Sequence, residues 1–186
     1  MKDFEMMGLV PELLKAIGDL GFVSPTPIQE KVIPMILEGD SDIIGLAQTG
    51  TGKTAAFGLP LLQHAEPVEK NTRALILSPT RELCVQISKD LQAYARYLPG
   101  IRIVPVYGGA SVENQVKDLK RGAHIIVATP GRMLDLIKRK YAKIADVKRL
   151  ILDEADEMLH MGFRDELNAI LEYMPIARQS LLFSAT

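Results

Sequence analysis

Ala47-Gln48-Thr49-Gly50-Thr51-Gly52-Lys53-Thr54 follows the apolar run Asp42–Ala47, and the fold is read outward from this stretch. Glycine, lysine and threonine stand in the order G-x-x-x-x-G-K-[ST], with Ala47 in place of the opening glycine. Ala47 starts the loop rather than lining its hollow, so that departure matters little. Backbone N–H groups converging on an anion need residues free to take unusual dihedrals, which Gly50 and Gly52 supply. In such a cradle Lys53 offers charge to the β- and γ-phosphates and Thr54 offers a hydroxyl to magnesium. The helix that follows presents its positive end. A glycine-rich turn beside a surface lysine would use the same residue types, but would not need a strand before it and a helix after it.

A second apolar run ends in acid: Leu150-Ile151-Leu152-Asp153-Glu154-Ala155-Asp156. Carboxylates at the end of a buried strand supply the oxygen ligands that Mg²⁺ over a nucleotide's phosphates requires. Asp153 is expected to hold the metal, in part through water, with Glu154 polarising the attacking water. An acidic turn that merely caps the next helix is the alternative. The phosphate cradle weighs against it, and together the two runs predict a nucleoside-triphosphate site.

The chain has 186 residues, 47% apolar and 24% charged, a composition suited to one folded domain. A net charge of −1 gives no overall basic field, although a local groove can bind phosphates without moving the total. The single cysteine, Cys84, cannot form an internal disulfide and suits a reducing compartment; it reads as a packing thiol. His64, His124 and His160 lack metal-ligand spacing. No apolar run reaches the roughly 20 residues that span a bilayer, so a cytoplasmic location without membrane contact is expected.

Apolar runs recur at Asp42–Ala47, Arg73–Ser78, Ile101–Val106, His124–Ala128, Arg149–Asp153 and Ser180–Ser184. Amphipathic stretches lie between them, notably Arg81–Tyr97, Val112–Arg121 and Arg164–Met174. Runs of Ile, Leu and Val without polar alternation read as strands buried on both faces. The alternation predicts an α/β fold, a mostly parallel sheet with helices on both faces. Pro60 falls inside the helix after Lys53 and is expected to kink or end it. In an open parallel sheet ligands sit beyond the carboxyl ends of the strands. Small, polar or charged residues follow every one of the six runs, which core packing does not explain.

Asp153-Glu154-Ala155-Asp156 resembles the signature of the DEAD-box RNA helicases, and nearly the whole chain is similar to that family's first RecA-like, P-loop domain. The resemblance implies one domain over residues 1–186, with an adenine-reading segment over residues 2–30. Within Gly21-Phe22-Val23-Ser24-Pro25-Thr26-Pro27-Ile28-Gln29, it makes Gln29 the selector of ATP over GTP. Phe4 and Phe22 would lie near the base, with Ser24 beside them. Pro79-Thr80-Arg81-Glu82-Leu83, Gly108-Gly109 and Thr129-Pro130-Gly131-Arg132 match the family's RNA-binding motifs, and Phe163 and Arg164 resemble a further contact. Hydroxyls, helix N-termini and a few arginines suit a sugar–phosphate backbone without base reading. Three or four such contacts on a single strand predict a log–log salt slope of roughly −2 to −3.

Ser184-Ala185-Thr186 resembles the motif that couples the acidic tetrad to RNA. By analogy with related P-loop ATPases, its strand is expected between the cradle strand and the acidic strand. What the resemblance implies is an enzyme that uses ATP and Mg²⁺ to unwind RNA or remodel ribonucleoprotein. Lys53, Asp153, Glu154, Asp156, Ser184 and Thr186 would be its catalytic set. A second RecA-like domain, absent here, would complete the site, with the whole acting as a monomer. An ATP-gated RNA clamp that scarcely unwinds is the other reading, and a DNA-directed helicase a third.

Overall fold

The computed structural model describes residues 2–48 and 50–185. Thr49 and Thr186, both assigned roles above, lie outside the described residues. Three helices, α1 (Lys2–Glu5), α2 (Pro11–Asp19) and α3 (Pro27–Glu38), lead into β1 (Ile43–Leu46). Strands and helices then alternate through α4 (Lys53–Gln63), β2 (Ala74–Leu77), α5 (Arg81–Tyr94), β3 (Ile103–Val106) and α6 (Val112–Lys120). β4 (Ile125–Ala128), α7 (Pro130–Lys138) and β5 (Arg149–Leu152) follow. Two short helices, α8 (Ala155–His160) and α9 (Arg164–Leu171), precede β6 (Gln179–Ser184).

The six strands form one sheet in the order β1-β6-β5-β2-β4-β3, and all five pairings are parallel. β6 therefore sits between the cradle strand and the acidic strand, as expected. Successive residues of β2 alternate between two cores, because side chains along a strand point to opposite faces. Ala74 and Ile76 join Phe57, Leu91 and Phe183 on one face. Leu75 and Leu77 join Met133, Leu136 and Ile170 on the other. β1 is an edge strand: Ile43 is buried, whereas Ile44 and Leu46 are 76% and 71% exposed. Gly45 is required there, since a Cβ would lie 2.8 Å from the Phe183 ring. That ring packs against Phe57 with centroids 5.5 Å apart.

All six expected strands exist, with ends shifted by at most two residues. The helices differ more. α5 stops at Tyr94 and tightens into a 3₁₀ turn over Ala95–Tyr97, while α6 ends at Lys120 and α9 at Leu171. Pro60 does not end α4, which runs on to Gln63. The missing N–H and the ring clash cost about 3 kcal/mol. Every residue of Ala55–Leu62 is buried, and each fully buried Leu or Phe returns about 2 kcal/mol. Packing outweighs the local penalty.

Candidate nucleotide site and nucleic-acid face

The cradle hangs between β1 and α4. Gly50 has φ 80° and Gly52, the N-cap of α4, has φ 90°, a left-handed conformation that suits glycine. Thr51 Oγ1 donates to the Gln48 carbonyl at 2.7 Å and holds the loop on itself. A Cβ on Gly52 would collide with Gln29 Nε2. Gln29 is 2% exposed and uses both ends of its amide. Its Oε1 accepts from Thr26 N at 2.9 Å, and its Nε2 donates to the Gly52 carbonyl at 3.1 Å. The segment expected to read adenine is thereby pinned to the phosphate loop.

Phe22 is half-buried and meets Tyr94 edge-on at 6.0 Å. Phe4 is fully buried 6.1 Å from Phe22, as part of the core that backs that ring rather than as a wall of the recess. Ser24 is exposed in the turn before α3. A recess of about 350 Å³ joins Phe22, the Gly50–Thr54 loop and the acidic strand end, with Leu83, Gln86 and Asp90 of α5 on its far wall. A larger hollow, about 620 Å³, opens at the opposite pole. It holds no motif residue, and two of its arginines are paired there, Arg73 with Glu69 and Arg149 with Asp40.

Within the recess Lys53 Nζ lies 3.2 Å from Asp153 Oδ1, with side chains only 7% and 5% exposed. Burial raises the Asp153 carboxyl above the ordinary range, and the Lys53 charge pulls it partly back. Glu154, the N-cap of α8, has φ 54° and ψ 52°, left-handed for a residue with a Cβ. Such strain, about 1–3 kcal/mol, persists where the surroundings enforce it. Burial, and then the Asp153 charge, raise the Glu154 carboxyl as well. Asp156 Oδ2 accepts from Ala185 N at 3.3 Å, so the end of β6 is tied to the tetrad. Ser184 closes β6 beside Leu46, its register partner on β1.

The donor set fits a magnesium-bound triphosphate. A buried ammonium, the N-terminus of α4 with no side-chain cap at Gly52 and the Thr54 hydroxyl face hard carboxylate oxygens across one recess. Among the described residues no group of three His, Cys, Asp or Glu can hold a metal by itself. A cation at Thr54 and Asp153 therefore needs further oxygens, such as those of phosphates.

Three strand ends build the second face. After β2, Pro79 is buried and Thr80 caps α5, its Oγ1 accepting from Leu83 N at 3.2 Å. Exposed Arg81 lies over the Tyr107 ring, 5.2 Å from its centroid. After β3, Gly108 and Gly109 are exposed, and a Cβ on Gly109 would come within 3.2 Å of Arg81 Nη1. After β4, Thr129 takes the N-cap position of α7 without a side-chain capping hydrogen bond, and Pro130 takes the first position. Arg132 Nη1 donates to the Ala110 carbonyl at 3.3 Å and to Gln115 Oε1 at 3.4 Å. Gly131 has open space where a side chain would be. Phe163 is partly buried against the second core, with Arg164 exposed beside it at the start of α9.

Gln115 and Tyr107 escaped the sequence reading. One signal was present: Gln115 interrupts the stripe Val112, Val116, Leu119 with which α6 meets the core. Cys84 is a fully buried thiol that donates to the Val127 carbonyl at 3.1 Å, and burial pushes it up to about 12. His124 is buried, its Nδ1 accepting from Arg102 N at 2.9 Å. No helix among the described residues is long and apolar enough to cross a membrane.

The model of the DEAD/DEAH box helicase family matches residues 26–186. The DEAD-box ATP-dependent RNA helicase CshA of Streptococcus pneumoniae is 55% identical over 98% of this chain, which covers 34% of that protein. CshA of Listeria monocytogenes is 50% identical over all of this chain and 35% of its own length. The chain thus spans about a third of these curated relatives. A DEAD box protein from the hyperthermophile Methanococcus jannaschii superposes with a TM-score of 0.94 at 41% identity, covering 99% of this chain and half of the other. An S. cerevisiae Dbp5 variant bound to RNA and ADP BeF3 gives a TM-score of 0.88 at 35% identity, over 100% of this chain and 47% of that one. The fold, the motif-bearing rim and these matches agree: the chain belongs to the DEAD/DEAH box helicase family.

Proposed function

We propose that these 186 residues are the N-terminal nucleotide-binding domain of a cytosolic, ATP-dependent RNA helicase. The observation that carries this reading is the Lys53–Asp153 pair beneath the Gly50–Thr54 loop, on the same sheet rim as the Arg81–Tyr107–Arg132 cluster. Loop amides and Lys53 bind the triphosphate tail; Gln29 and Phe22 orient the base. Magnesium, when bound through Thr54 and Asp153, neutralises charge on the phosphate oxygens. Glu154 orients the attacking water and takes up its proton. Asp156 passes the state of this site to β6 through the Ala185 amide. Arg81, Arg132 and the α5 and α7 N-termini, with Gly108 and Gly109 beside them, hold an RNA backbone. The RNA bound to the Dbp5 variant supports this assignment.

A second RecA-like domain is expected to complete the site with arginines that stabilise charge on the transferred phosphoryl group. Such residues contribute about 10³–10⁵ in rate. The isolated 186 residues should therefore bind ADP or ATP in calorimetry with Mg²⁺ present, yet turn ATP over at least about 10³-fold more slowly than the intact protein with RNA. No heat from either nucleotide would overturn the nucleotide site. Robust RNA-stimulated hydrolysis by the fragment would overturn the need for a second domain. Gln29→Ala should bring ATP and GTP affinities to within about threefold of each other, because one or two hydrogen bonds to the base are lost. Unchanged discrimination between the two would remove Gln29 from base selection.

A further inference from the structure

Gln115 occupies an unusual place for a polar residue. It lies on the inner stripe of α6 and is 7% exposed, with both ends of its amide engaged. Its Nε2 donates to the Tyr107 carbonyl at 3.0 Å, at the exit of β3, and its Oε1 accepts from Arg132 Nη1 at 3.4 Å, in the first turn of α7. The same guanidinium nitrogen reaches the Ala110 carbonyl at 3.3 Å. Tyr107, whose carbonyl Gln115 holds, carries Arg81 over its ring. One buried amide thus joins the segments that follow β3 and β4, and Tyr107 extends the link through its ring to Arg81 after β2.

We infer that Gln115 is the positioning residue of the RNA face, fixing Arg132 and the Tyr107–Ala110 turn in the arrangement that binds a single-stranded backbone. The inference rests on the RNA reading above and names a residue outside the motifs that carry it. Without the amide, the Arg132 guanidinium keeps, among the described residues, the Ala110 carbonyl as its hydrogen-bond partner. The Gly108-Gly109 turn, free of side chains, loses the strut at its start. Gln115 need not touch RNA. It lowers the ordering cost that the turn and the arginine would otherwise meet on binding.

RNA affinity of the intact protein, read as anisotropy of a labelled oligo(U) strand in the presence of ADP·BeFx, tests the inference. Gln115→Leu keeps the bulk and removes both hydrogen bonds. It should weaken binding about tenfold, with ADP affinity in the absence of RNA unchanged. Gln115→Glu keeps an acceptor for Arg132 and loses the donor to Tyr107, so a smaller loss is expected; it also serves if the leucine variant fails to fold. A role carried through Arg132 makes the effects non-additive. In an Arg132→Ala background the Gln115→Leu change should cost less than about threefold. Wild-type RNA affinity in both Gln115 variants, or fully additive losses, overturns the positioning role while the RNA face stands. Unchanged affinity in Arg132→Ala itself overturns the placement of RNA on this face and the inference with it.

Discussion

Lys53→Met is expected to lower the stability of the nucleotide-free 186-residue domain by about 3 kcal/mol, because it strands a buried carboxylate. Asp153 is 5% exposed, and this ammonium lies 3.2 Å from its Oδ1. For a domain of this size the melting temperature should fall by about 6–12 °C. Burial already raises the Asp153 carboxyl, and Lys53 is the main opposing influence. Removing the lysine raises the folded-state value further. A carboxyl whose folded value lies above its unfolded one costs stability where it is ionised, at pH above the folded value. The cost disappears once the pH drops below the unfolded value. The Lys53→Met deficit should therefore be largest at neutral pH and narrow toward pH 4 or so. Adding Asp153→Asn should recover most of it at neutral pH. Thermal melts of the two variants across that range decide the matter: a pH-independent deficit, or a double variant no better than the single, would show that the pair is not the stabilising unit.

Glu154→Gln in the intact protein should slow ATP hydrolysis about 10³-fold while leaving nucleotide affinity within about twofold. Glutamine fills the same space and takes the same left-handed backbone, so the strain at φ 54° is inherited and the melting temperature should barely move. The two readouts separate loss of the water-activating carboxylate from loss of fold. Burial and the neighbouring Asp153 charge raise the Glu154 carboxyl. In the proposed role its working form is the ionised one, so kcat/KM should fall as pH drops through a value above the ordinary carboxylate range of about 4. In Glu154→Gln that acid limb should flatten. Single-turnover hydrolysis at a normal rate would remove Glu154 from the reaction.

Residues whose local chemistry suffices announced themselves in the sequence. The turn from β1 into α4 needs glycines and ends in lysine and threonine, and β5 ends in acid; each reads from contiguous residues. The strands were legible because they are buried on both faces, so their apolar runs are uninterrupted. Pro60 misled because its penalty is local whereas the burial of Ala55–Leu62 that outweighs it is not. The family resemblance places Phe4 near the base, yet in the fold it is a fully buried core residue behind Phe22. Gln115 was illegible for the opposite reason. Its two partners lie 8 and 17 positions away on different elements, and only the fold brings them to one amide.

The sheet order carries a consequence for how the protein is made. Among the described residues β1 pairs only with β6, and the contacts that seat them, Gln179 Nε2 to the Ser41 carbonyl and Ser180 N to Asp42 Oδ1, span 138 positions. At about 5–20 residues per second, a ribosome exposes the first of these strands roughly 7 to 28 s before the last. Through that interval the Gln48–Thr54 loop follows a strand that has no strand partner. The edge strand that carries the loop gains its partner only when β6 has emerged.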